Sequence, residues 1–162
     1  PALTWALAVG TLGIWHLPPL FAVTLADERV HILEHLLFLG TATAFWWPVL
    51  APPDSGLRLA PWAAVVYLAA AMFANAALGI FITFAPPGLY PFYTHPPDVY
   101  GILPLIRTGW GLTAARDQQI AGLLMWIPGN LAYLGGAGAT LAAWYSAPDT
   151  DPAPTPLWEE AV

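Results

Sequence analysis

His31 and His35 stand one helical turn apart in the run Val30-His31-Ile32-Leu33-Glu34-His35-Leu36-Leu37-Phe38. At that spacing the two Cβ atoms of a helix lie about 5–6 Å apart, so both imidazoles can reach a single ion. An imidazole pair suits copper, zinc or iron. Ionisable groups at the edge of a membrane-length apolar run are costly and are usually retained for a task. The plain alternative is two interfacial histidines bonded to water, headgroups or carbonyls. Glu34 between them completes the pattern H-x-x-E-H, formally that of the inverted zincins. Such an enzyme needs a further carboxylate ligand and a substrate cleft. Glu34 is therefore read as a hydrogen-bond partner that orients an imidazole, and the chain is not read as an enzyme.

Other residues could complete such a site. His16, in Trp15-His16-Leu17-Pro18-Pro19, is a candidate third ligand. Pro18 should end or bend the helix there and free nearby carbonyls. Asp117 and Gln118 open a later apolar run, with Met125 two turns deeper. A thioether facing imidazoles favours Cu(I). Asp117 has a simpler explanation as a helix-start residue, and Met125 as a packing residue. The metal-site set is thus His16, His31, His35, Met125 and Asp117, with Glu34 and Gln118 around it. His95, in a proline-flanked stretch, reads as solvated. Asn75 and Asn130, mid-run, read as links between helices.

The elements that must position these residues follow from composition. Of 162 residues, 58% are hydrophobic and 9% charged, where a soluble domain carries roughly 25% charged residues. The natural solvent for this chain is lipid. All four cations are arginines and the net charge is −6, which excludes a nucleic-acid partner and a polybasic grip on anionic lipid. Cysteine is absent, so a metal must use His, Met, carboxylate or carbonyl ligands. The first apolar run lacks a basic leader and a clear small-residue cleavage site, and is not read as a signal peptide.

Four apolar runs, at about residues 2–21, 30–50, 59–84 and 118–145, approach or exceed the roughly 20 residues of a bilayer crossing. The expected fold is all-α: an integral membrane helical bundle of four transmembrane helices, occupying residues 1–146. Residues 85–116 form one long loop rich in aromatic residues and proline, and residues 147–162 an acidic, Pro-rich tail. Small residues at Gly10, Gly13, Ala69 to Ala71, Ala74, Gly135, Gly136 and Gly138 are expected to let helices approach closely. With four crossings, His16, His31, His35, Asp117 and Gln118 converge on one membrane face. Arg29, Arg107 and Arg116 lie there too, and the positive-inside bias places that face in the cytoplasm.

Several motifs taken together resemble the CtaG family of cytochrome c oxidase assembly factors. They are Trp15-His16-Leu17-Pro18, His31-Ile32-Leu33-Glu34-His35, Phe45-Trp46-Trp47-Pro48, Leu89-Tyr90-Pro91-Phe92-Tyr93 and the run from Asp117 to Gly129, all within about Gly13 to Gly136. The resemblance implies a polytopic protein, with about seven spans in family members, that serves maturation of caa-type haem–copper oxidases. It implies oxidase subunits as partners, copper as the delivered ion, a bacterial inner membrane location and a site facing the outer side, against the arginine count.

The leading expectation is a membrane protein that holds copper, as Cu(I), through the histidine cluster and passes it on by ligand exchange. A structural subunit of a larger membrane complex is the alternative. A haem-binding electron carrier with two histidines as axial ligands is the third.

Overall fold

The computed structural model describes residues 1–147. The acidic tail expected from 147 onward therefore lies, apart from Ala147, outside the described residues. Five α-helices follow in order: α1 (Ala2–Trp15), α2 (Pro18–Ala26), α3 (Glu28–Leu50), α4 (Pro61–Phe84) and α5 (Ala114–Tyr145). No strand occurs among the described residues, in line with the all-α expectation.

The first expected crossing is not one straight helix. Pro18 has no N–H to donate, and its ring excludes a continuous helical turn behind it. Leu17, just before it, is accordingly extended, at φ −67° and ψ 129°, as the residue before a proline prefers. The chain bends by 74° between α1 and α2. Two helices, α4 and α5, are long and apolar enough to cross a membrane, or three crossings result if the bent α1–α2 pair counts as one. This replaces the expectation of four. At 23 residues α3 has the length, but His31, Glu34, His35, Trp46 and Pro48 dilute its apolar content. The candidate chemistry is thus what sets this helix apart from the other two.

Local capping fixes the helix starts. Asp27 accepts the N–H of Arg29 at 2.8 Å and caps α3. Thr113, not Asp117, caps α5, its hydroxyl accepting from the N–H of Arg116 at 3.3 Å. The last helix therefore begins four residues earlier than its apolar content suggests, and Asp117 sits in its first turn. Between α4 and α5 the chain makes a 3-10 turn at Pro91–Thr94 and a π-helical turn at Leu105–Gly109. Arg107 ties this segment together, donating to the carbonyls of Leu112 at 2.7 Å and Tyr93 at 2.8 Å.

Packing centres on α4. Asn75 donates to the side-chain oxygen of Asn130 at 3.0 Å, linking α4 to α5 in mid-helix. Nearer the site end, Gly122 lets the backbone of α5 touch that of α4, and Gly79 leaves room for the Trp126 side chain. A Cβ on Gly122 would stand 2.7 Å from the Thr83 nitrogen and 2.9 Å from the Gly79 carbonyl oxygen. At the opposite end, Phe45 and Val49 of α3 meet Ala64, Tyr67, Leu68 and Ala71 of α4 in a small buried core. Trp46 stacks on Tyr133 and covers Gly136. Gly10, Gly13, Gly135 and Gly138 face open space instead, so they do not mediate the close approaches expected of them. Most large apolar side chains point outward, Phe84, Phe73 and Leu131 among them, an arrangement stable only where the surroundings are themselves apolar.

Candidate functional site

Antiparallel passage of α3, α4 and α5 brings the start of α3, the end of α4 and the start of α5 to one end of the molecule. His31 and His35 project from the first turns of α3. Their Nε2 atoms lie 2.8 Å apart and their ring centroids 4.6 Å apart. One ring donates its N–H to the other, so at least one imidazole presents a lone pair. Glu34 joins them: its carboxylate and the two imidazoles each place a ligand atom within 4.8 Å of the others. Both histidines are exposed, while Glu34 is only 7% exposed. Glu34, read from sequence as an orienting partner, thus lies as near to the imidazoles as a candidate third donor would.

His16 does not join this group. It ends α1, and its Nδ1 lies 2.7 Å from the Leu12 carbonyl oxygen. A carbonyl can only accept, so Nδ1 carries the proton. His16 instead lines a separate cavity of about 200 Å³, together with Met125, Asp117 and Gln118. His31, Glu34 and His35 do not line it. The single cluster expected from sequence is therefore divided into two sets of donors at the same end of the molecule. His95 is exposed, 3.0 Å from the Thr94 hydroxyl, and belongs to neither.

Gln118 has a structural task that its position in sequence does not disclose. Its amide nitrogen donates to the carbonyls of Ile82, Ala85 and Pro86 at 3.2, 3.1 and 3.4 Å. These belong to the end of α4 and the residues after it, where helical carbonyls lack partners of their own. Gln118 thereby fixes the end of α4 to the start of α5 and the floor of the cavity.

Tyr90 and Tyr93 also line the cavity, although only their motif, not their role, was legible in sequence. Tyr90 donates its hydroxyl to the His16 carbonyl at 2.8 Å and packs on Phe21 with ring centroids 4.7 Å apart. This holds the α4–α5 connection against the α1–α2 bend. Burial raises the Tyr93 phenol above the ordinary 10.0, and the nearby Asp117 carboxylate raises it further. Burial raises Tyr90 likewise, with Tyr93 adding to it.

A raised phenol favours the folded state while neutral. That contribution is fully present below pH 10.0 and is lost as pH rises from there through the folded value. Thermal melts of the detergent-solubilised protein should therefore show alkaline destabilisation above about pH 10. Tyr93→Phe should make that loss shallower and leave the melt at neutral pH nearly unchanged. An unaltered alkaline slope in the variant would remove Tyr93 from this account.

The ordered motifs and the helical, membrane-type fold agree with the comparison to protein families. The model of the cytochrome c oxidase caa3 assembly factor family matches residues 1–147. No curated protein and no solved structure matches the chain. With the match running over all but the last 15 residues, the chain belongs to the cytochrome c oxidase caa3 assembly factor (Caa3_CtaG) family.

Proposed function

We propose that this protein supports oxidase assembly by holding copper at His31, Glu34 and His35 and releasing it to an oxidase subunit. One observation carries the reading: Glu34, only 7% exposed, places a carboxylate oxygen within 4.8 Å of two exposed imidazoles whose Nε2 atoms lie 2.8 Å apart. A carboxylate on a largely covered side chain is favoured by a nearby cation, and an ion between Glu34 and the imidazoles would be that cation. The exposed rings leave the ion open to a ligand from a partner, so transfer proceeds by ligand exchange, with no covalent step. Copper is the cargo, and Cu(I) is the form that exchanges without a redox partner. Oxidase subunits in the bacterial inner membrane are the recipients this reading requires.

The close pair does not favour haem. Axial ligands on opposite sides of an iron need their nitrogens about 4 Å apart, twice a metal–imidazole bond of roughly 2.0 Å, whereas these nitrogens stand at 2.8 Å on one helix face. A structural-subunit role is the second reading. It is favoured by the outward-facing Leu36, Leu124 and Leu131, a surface suited to packing against neighbouring helices.

Co-expression with a caa3-type oxidase separates the two. The wild-type protein should raise the copper content of the purified oxidase, and a His31→Ala, His35→Ala double variant should not, while inserting equally well. Equal copper in both oxidase preparations would leave a scaffolding role and end the copper proposal.

A further inference from the structure

The cavity beneath the α4–α5 connection contains a second set of soft-metal donors. His16 reaches it from the end of α1, and Met125 from α5 two turns below the helix start. The hydrogen bond from Nδ1 to the Leu12 carbonyl, 2.7 Å long, fixes both the tautomer and the ring orientation. Nε2 is then the unprotonated nitrogen, and it has no hydrogen-bond partner among the described residues. A metal-bound histidine is commonly held in this way, its other ring nitrogen donating to a backbone carbonyl. The imidazole is half-buried and flanked by the rings of Phe21 and Phe38, both at 6.5 Å, so competing water is limited.

The rest of the lining matches a monovalent, soft cation. Thioether sulfur selects Cu(I) over harder ions, and imidazole accepts it. Asp117 contributes a carboxylate to the same wall, and its charge is not neutralised by the nearby arginines. Arg107 spends its guanidinium on the carbonyls of Leu112 and Tyr93, and Arg116 donates to that of Gly111. Gln118 is occupied by the end of α4. The Tyr90 hydroxyl pins the overlying segment to the His16 carbonyl.

We infer that this cavity is a second Cu(I) site, held by His16 Nε2 and the Met125 sulfur, with Asp117 balancing the charge. It rests on the copper-handling reading above, but not on the α3 group: the two donor sets share no residue. The protein then carries two copper ions per chain, one on α3 and one in the cavity.

The sequence contains only two methionines, Met72 and Met125, which makes the test direct. The full chain is purified in detergent with ¹³C-methyl methionine and titrated anaerobically with Cu(I), both as wild type and as the His31→Ala, His35→Ala variant. Met125→Leu, close in volume to the original, assigns the resonance and should preserve the fold. The expected result is that one equivalent of Cu(I) shifts the Met125 methyl in the double variant while Met72 stays in place. Adding Met125→Leu should then remove that equivalent. A Met125 methyl that stays unmoved through two equivalents would overturn the second site, as would undiminished Cu(I) binding by Met125→Leu in the double variant. Equal stoichiometry in wild type and the double variant, with Met125 shifting in both, would uphold the cavity site and sink the α3 site instead.

Discussion

Replacing Gly122 by Leu should dismantle the site end of the protein. At that point α5 lies against the Thr83 nitrogen and the Gly79 carbonyl, and even a Cβ would stand within 2.7 and 2.9 Å of them. Both neighbours are backbone atoms inside α4, so the strain cannot be relieved by rotating a side chain. Overpacking of a tight interface costs about 1–3 kcal/mol, occasionally more, and here the two helices must separate. Separation also breaks the Gln118 contacts to the end of α4 and opens the cavity. The expected outcome is a fall in the detergent melting temperature of several degrees or loss of folded protein altogether. Gly135→Leu, at a position facing open space, should change it little. Equal effects at the two positions would mean that α4 and α5 are not held by this contact.

Glu34 should show opposite effects on stability and on metal binding. Glu34 is only 7% exposed as a residue, so an apolar side chain of similar size can take its place without giving up a hydrogen bond. Glu34→Leu should therefore leave the apo protein as stable as wild type or more so. The same change should weaken Cu(I) binding at the α3 group by about 10–100-fold, the range seen when a supporting carboxylate of a metal site is lost. His35→Ala removes a ligand from an exposed position, leaves no internal void, and should cost about 10²–10⁴-fold, since roughly 10–16 kcal/mol of site affinity spread over three donors is about 3–5 kcal/mol each. Competition with a chromophoric Cu(I) chelator, in a Met125→Leu background, gives both numbers. A Glu34→Leu variant that lost stability and kept its affinity would identify Glu34 as a packing residue.

Much of this was legible in sequence because it follows from local rules. The apolar runs gave the helices, the i and i+4 spacing placed His31 beside His35, and Asn75 with Asn130 marked a polar link between helices. The bend after His16 could be read from Pro18, but its size, 74°, could not. His16 lines the cavity with Met125 and does not join His31, a separation that depends on three-dimensional packing and leaves no trace in residue spacing. The start of α5 was misplaced for a similar reason. Ala114 to Asp117 are not apolar enough to extend the run, and the helix begins where Thr113 supplies a cap. Nor could sequence tell that Gly122 lies in a helix contact and Gly135 in the open, since both are small residues in one apolar run. The Gln118 contacts likewise span more than 30 positions, beyond any local pattern.

X-ray absorption at the copper edge, on Met125→Leu protein loaded with one equivalent of Cu(I), tests the α3 site most directly. The account predicts two imidazole nitrogens bound to copper at about 2.0 Å, a typical metal–histidine distance, with the imidazole scattering lost in His31→Ala, His35→Ala. Copper that fails to remain bound, or that shows no imidazole in its coordination shell, would contradict it.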